Sequence, residues 1–123
     1  MNEGLNEAQV AMKRRAERES LAGGVKFDEG KDPWHLAPWD AFRAIVIVLA
    51  YGAQNYAPRN WERGMDWSRC YAAALRHLTA WWAGEPADAD TGYSHLWHAG
   101  CCICFLISYE IRGIGKDDRP KPI

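Results

Sequence analysis

The chain has 123 residues, enough for one domain with a short terminal arm and too few for two independent cores. Its 15 basic and 16 acidic residues leave a net charge of −1, which argues against a broad nucleic-acid-binding surface but leaves room for a basic pocket that takes one phosphorylated small molecule. Hydrophobic residues make up 48% of the chain and seven of them are tryptophan, so a packed core, a flat-ligand pocket or a subunit interface is expected.

Residues 1–22 are polar and charged, with KRRAERE near the centre. They could make a solvated amphipathic helix, using Leu5, Val10 and Met12 on one side, and read as a frayed arm or an oligomer contact. Such a helix is marginal in water unless it packs on something. Nothing in this stretch has the apolar core of a signal peptide. Gly23-Gly24 breaks the pattern, and the mixed glycine, proline and charge that follow, through His35, predict a loop.

Pro38 suits the start of a helix and Asp40 its positive end. From Trp39 the run WDAFRAIVIVLAYGAQNY has apolar side chains on almost every face, which predicts a helix buried on most sides, ended by Pro58. Arg59 to Trp67 is a connecting loop, and Ser68 is a plausible cap for the next helix, RCYAAALRHLTAWWA, closed by Gly84. Glu85 to Tyr93 forms an acidic loop. Ser94 then caps a last helix, HLWHAGCCICFLISYEIR, which stops at Gly113. The tail GKDDRPKPI is polar and proline-rich and reads as loose.

The longest apolar runs, Ala44 to Ala50 and Ala99 to Ser108, are too short to span a bilayer. Cys101, Cys102 and Cys104 crowd into the second run, whereas a disulfide framework would spread them out. With Cys70 they read as small core residues of a reducing cytoplasm. The expected organisation is a polar arm over 1–22, a helical domain over 23–113 and a flexible tail over 114–123. The fold class is all-α: a small bundle of three core helices with a fourth at the start, completed by dimerisation.

Three of the four histidines fall between residues 76 and 98. His95 and His98 are three apart and share one helical face with Cys102, Phe105 and Tyr109. His77 lies on the preceding antiparallel helix, and Glu85 and Asp88 lie in the loop between. Imidazole and carboxylate are the usual ligands of zinc, manganese and iron, and carboxylates suit magnesium. His95, His98, Glu85 and Asp88 are therefore candidate ligands of a divalent ion, magnesium or manganese with zinc also open. His77, Glu85 and Asp88 are candidate catalytic groups, His77 as general base or a further ligand. The competing structural role is ordinary: a capped or core histidine and solvated loop acids give the same pattern, and H-x-x-H alone is a weak motif.

Arg59-Asn60-Trp61 offers phosphate, amide and stacking contacts in a few loop residues. Arg76 adds a planar fork suited to phosphate oxygens, with Arg69 seven positions earlier on the same helix. Tyr56 belongs to the aromatic set able to stack a base. The same arginines can instead pair with Asp66, Glu62 or Glu85. No nucleophile elbow and no phosphate-binding P-loop motif is present, so those two chemistries are excluded.

The stretches FDEGK, YGAQNYAPRNWERG and AALRHLTAWWAGEPADADTGYSHLWHAGCC resemble small phage and prophage proteins of the dATP/dGTP diphosphohydrolase N-terminal family. The likeness covers about Gly24 to Tyr109. It runs through Tyr51, Gly52, Tyr56, Arg59, Asn60, Trp61, Arg76, His77, Gly84, Glu85, Asp88, Gly92, His95 and His98. The resemblance implies a mostly helical protein of nucleotide metabolism, found in the host cytoplasm. The linked activity removes pyrophosphate from purine deoxynucleoside triphosphates with a divalent metal. All-α enzymes of the MazG type, more distantly similar, carry E-x-x-E on one helix and E-x-x-D on the next. Here only Glu85-x-x-Asp88 corresponds, and the preceding helix offers Arg76 and His77.

Three readings stay open. One is a metal-dependent diphosphohydrolase acting on dATP or dGTP. The second is a protein that binds a nucleotide or cyclic-nucleotide signal without turnover, as an anti-defence sponge would. The third is a helical interaction module. The expected partners are a small nucleotide and a second copy of the chain, with neither nucleic acid nor membrane.

Overall fold

In the computed structural model, residues 4–20 and 23–121 are described, and every regular element among them is helical. The all-α expectation therefore holds. Residues 1–3, 21–22 and 122–123, the ends of the expected arm and tail, lie outside the described residues. The chain divides into two compact units, 1–37 and 38–123, so the division falls some 15 residues later than the composition shift at Gly23 (38 against 23).

In the first unit, α1 spans Glu7–Ser20. Its start is fixed by a reciprocal pair: Gln9 N–H donates to Asn6 Oδ1 at 2.8 Å and Asn6 N–H donates to Gln9 Oε1 at 3.0 Å. This satisfies two backbone donors that a helix start otherwise leaves open. A single 3₁₀ turn, Trp34–Leu36, follows further on.

The second unit holds α2 (Trp39–Asn55), α3 (Trp67–Trp82) and α4 (His95–Arg112). α4 is the shared element, packing extensively on α3 and less so on α2. A Cβ placed at Gly100 would sit 3.2 Å from Ile45 Cδ1, so the bare glycine lets α2 approach α4 closely. Within one chain α2 buries only Ala44 and Val48, while Phe42 and Val46 face solvent. α4 buries His95, Ala99, Cys101 and Tyr109. It leaves Leu96, Ile103, Ile107 and Ile111 exposed, a stripe at helical spacing. No helix among the described residues is long and apolar enough to cross a membrane.

Helix ends follow local chemistry. Ser94 Oγ accepts from Leu96 N–H at the start of α4, and Gly113 closes it in the left-handed conformation at φ 67°. Gly84, at φ 91°, takes the same part just after α3. Ser68, expected as a cap, is instead inside α3, which begins at Trp67. The cap comes from the tail: Asp118 Oδ1 accepts from Ser68 N–H at 2.9 Å, and its other oxygen accepts from the Ser68 hydroxyl. A carboxylate at that end also meets the favourable end of the helix dipole. These bonds to Ser68 hold Asp118 below the usual carboxylate range.

The tail is accordingly tied down as far as Arg119. Trp67 N–H donates to Lys116 O and Lys116 N–H to Met65 O, forming a short parallel bridge. The Trp67 indole donates to Ile114 O at 3.0 Å, and the Arg119 guanidinium lies 5.1 Å over its ring. Proline and charge in this segment gave no local sign of these long-range pairings.

Candidate metal and nucleotide site

The loop between α3 and α4 is folded by Asp88. Its Oδ2 accepts from Asp90 N–H at 3.1 Å and Thr91 N–H at 3.0 Å, an Asx turn. Asp88 N–H donates to Tyr93 O, and Gly92 N–H to Asp88 O, closing the loop on itself. Hydrogen bonds from Thr91 and Asp90 and the nearby His98 outweigh desolvation and lower the Asp88 carboxyl pKa. Asp88 is thus held as a carboxylate with one oxygen engaged by backbone.

This loop delivers Asp88 to the place where α3 ends and α4 begins. His77, Asp88 and His95 each present a ligand atom there, all within 4.8 Å of one another. His77 Nδ1 and His95 Nδ1 are 2.9 Å apart. His95 is only 5% exposed, and its Nε2 has no hydrogen-bond partner. Glu85 Oε1 lies 3.3 Å from that nitrogen, so the pair is an electrostatic contact without hydrogen-bond alignment. The buried imidazole of His95 thus has one nitrogen at hydrogen-bond distance from a second imidazole and the other near a carboxylate, which makes it a candidate donor.

His98 has a supporting place. Its Nε2 is 2.7 Å from Thr91 Oγ1, and its ring stacks on His77 with centroids 4.7 Å apart. Desolvation lowers the pKa of His98, and desolvation with the neighbouring His98 lowers that of His77. Both rings are therefore biased towards the neutral form that binds metals.

On α3, Arg69 and Arg76 line an open groove of about 540 Å³ with Met65, Ser68, Ala72 and Ala73. Among the described residues neither arginine forms an ion pair with Asp66, Glu62 or Glu85. Glu62 pairs with Arg59 and Arg112, each at 3.7 Å, and Glu85 faces His95.

The structure thus brings His77, Asp88 and His95 together, with Glu85 and His98 beside them and Arg76 next in sequence to His77. Sequence reasoning named His77 as a general base or a further ligand and His98 as a ligand; the structure places His77 with Asp88 and His95, and His98 against His77 and Thr91. The Arg59-Asn60-Trp61 loop lies elsewhere. Trp61 stacks on Phe105 at 5.2 Å, accepts the Tyr109 hydroxyl on its carbonyl at 2.6 Å, and carries the Arg112 guanidinium over its ring. From His95 to Tyr109 along α4 is roughly 20 Å at 1.5 Å per residue. Tyr56 is 70% exposed and outside the histidine cluster. Arg59 has φ 60°, the only non-glycine residue with positive φ among those described. Thr91 is the member of the site that the sequence reading passed over; its signal was its place three residues after Asp88, where an Asx turn puts it.

An all-helical domain with a two-histidine, one-carboxylate cluster at a helix–loop–helix junction is the class this structure defines. The family described as "dATP/dGTP diphosphohydrolase, N-terminal" matches residues 22–119. The chain belongs to that family. It is also 34% identical, over 96 residues, to a protein of Salmonella phage PMBT28 named "dATP/dGTP diphosphohydrolase". The match covers 78% of this chain and 33% of that relative, so the chain corresponds to about a third of the phage protein. No solved structure matches.

Proposed function

We propose that this chain is a metal-binding, nucleotide-handling domain that releases pyrophosphate from dATP or dGTP. The observation that carries the reading is the convergence of His77, Asp88 and His95, with a groove on α3 lined by Arg69 and Arg76, neither of which forms an ion pair among the described residues. The name borne by the Salmonella phage relative supports purine deoxynucleotides as the substrate class.

His77, Asp88 and His95 are the residues that would hold a divalent ion, and the set fits one: three donor atoms of types used by transition metals, close enough to share a centre. Bound there, the ion supplies Lewis acidity towards a phosphoryl oxygen. Arg76 and Arg69 bind phosphate oxygens through their planar forks. Glu85 faces the outer nitrogen of His95 and orients the ring, and His98 braces His77 by stacking. Positioning and charge stabilisation of this kind supply most of the catalysis in phosphoryl transfer.

The exposed apolar stripe of α4 fits a homo-oligomer. A second copy would also be the source from which Arg59 and Asn60 reach the same nucleotide. The test is pyrophosphate release from dATP and dGTP by the metal-loaded chain. His95→Ala should lower turnover by at least 100-fold, and Arg69→Ala with Arg76→Ala should raise KM for the triphosphate. Unchanged release by His95→Ala would remove the assignment.

A second reading, sequestration without turnover, is favoured by the acid count. The site has Asp88 and Glu85 but no acidic pair on α3, where Arg76 and His77 stand. Nucleotide that co-purifies and is recovered intact after denaturation, with no pyrophosphate formed, would establish it.

A further inference from the structure

We propose that the cluster His77, Asp88 and His95 selects a borderline first-row transition ion over magnesium and holds it with open coordination positions, Glu85 acting as the positioning residue for His95. The inference rests on reading the cluster as a metal site and adds the class of ion and the shape of its shell.

Donor chemistry gives the first argument. Magnesium takes oxygen ligands and keeps several waters, so protein sites for it are built from carboxylates. Here two of the three donors are imidazoles. Imidazole suits zinc, iron, nickel and copper, and two histidines with one carboxylate are the facial triad that leaves the opposite positions free.

Geometry gives the second. Metal–imidazole bonds are about 2.0–2.1 Å long. The Nδ1 atoms of His77 and His95 are 2.9 Å apart. An ion at bonding distance from both subtends an angle of about 90° from those lengths, the angle between neighbouring positions of an octahedron. A tetrahedral centre would hold the two nitrogens about 3.3–3.4 Å apart at the same bond lengths. At 2.9 Å the two nitrogens are also at hydrogen-bond distance from each other, so the ion-free rings share one proton, and three protein donors leave positions open on an ion that replaces it.

The third argument is that the donors are fixed beforehand. Asp88 is anchored by two backbone N–H groups, and His77 is stacked on His98, which is itself bonded to Thr91. His95 is buried with its Nε2 3.3 Å from Glu85. A carboxylate behind a ligating histidine sets the tautomer and the ring orientation, and its loss commonly weakens metal affinity on the order of 10–100-fold. In this site the Glu85 carboxylate lies 3.3 Å from Nε2 of His95, within reach of a small rotation that would make that bond and leave Nδ1 for the ion.

The test is isothermal titration of the metal-free full chain with Mn²⁺, Zn²⁺ and Mg²⁺, together with the visible spectrum of the Co²⁺-loaded protein. Manganese or zinc should bind one per chain and at least 100-fold more tightly than magnesium. The Co²⁺ spectrum should show the weak bands of five- or six-coordination. His77→Ala should lower affinity at least 100-fold and Glu85→Gln 10–100-fold, with His35→Ala, remote in sequence from the cluster, unchanged. Magnesium binding as tightly as manganese and zinc, no ion bound by the wild-type chain, or an intense tetrahedral Co²⁺ spectrum would each overturn the proposal. These titrations on wild-type protein decide the matter if a variant loses its helical circular dichroism. Pyrophosphate release sustained by magnesium alone would overturn this inference and leave the proposed activity standing. Tight manganese or zinc binding with no turnover would do the reverse.

Discussion

Removing one oxygen atom from the centre of the second unit tests whether the Trp61 turn is held by α4. Tyr109 is fully buried, at 0% exposure, and its hydroxyl donates to the Trp61 carbonyl at 2.6 Å. Tyr109→Phe keeps the ring and its packing against Trp61 but leaves that carbonyl without its partner. Deleting one member of a buried hydrogen bond costs about 1–3 kcal/mol, because the remaining group stays desolvated. Tyr109 itself is buried but the bond is part-buried, so the middle of that range, about 2 kcal/mol, is expected. A domain of 60–100 residues loses about 4–8 °C in Tm per kcal/mol, which gives a fall of roughly 8–16 °C. Tyr71, 59% exposed on α3, is the matched control. Urea unfolding and calorimetry of the two variants measure the difference. A Tyr109→Phe protein within about 0.5 kcal/mol of wild type, the usual range for a neutral surface change, would show that the turn is not held this way.

Stability should also depend on pH through the histidine stack. His77 and His98 have folded-state pKa values below the ordinary 6.5, mainly through desolvation. Between the lowered values and 6.5 the unfolded chain binds more protons, so stability is complete above about pH 6.5 and falls as the pH drops through that window. Denaturation midpoints from pH 8 to 5 should fall, and the slope should shrink in His98→Asn. Burial pushes the Cys101 thiol to about 12 and the Cys102 thiol to about 11, so both should resist alkylation at pH 8, as peptide mass spectrometry after iodoacetamide would show. Gly115 sits at φ 76°, and a Cβ there would lie 2.5 Å from Met65 O. Gly115→Ala should therefore release the tail from α3, at a cost on the order of 1–3 kcal/mol, and speed hydrogen exchange at Trp67 and Lys116. Rapid exchange at those amides in the wild-type chain would contradict the bridge.

The helices of the second unit were legible because each carries its own punctuation. Ser94 and Gly113 mark α4 to the residue, and Gly84 marks the end of α3, since caps and left-handed glycines are local events. Asn6 and Gln9 were an equally local signal at the start of α1. The docking of residues 114–119 was not legible, because backbone pairing between Lys116 and residues Met65 and Trp67 depends on partners about 50 positions away. Ser68 looked like a cap for the same reason: the carboxylate that fills this part, Asp118, comes from the tail.

The site was legible in outline because five of its members lie within one stretch of chain. Its internal contacts were not. Helical spacing placed His95 and His98 on one face, but the Asx turn of Asp88 brings that carboxylate to His77 and His95 and ties His98 to Thr91. The Arg59-Asn60-Trp61 turn was rich in ligand-type groups, yet the indole spends its faces on Phe105 and Arg112. Which face of an aromatic ring is free is a property of packing.

The nearness of the site residues in sequence has a consequence for how the molecule assembles. His77 and His95 are 18 positions apart, and Asp88 lies in the turn between them. One helical hairpin therefore contains the whole donor set, without contribution from α2 or the tail. Local contacts of this kind form early, since closing a loop of this length costs little chain entropy. An ion captured at this stage would act as a clip on the open ends of α3 and α4, before α2 and the tail dock. On the proposed metal reading, the ion would then govern the yield of folding as well as the chemistry proposed for the site.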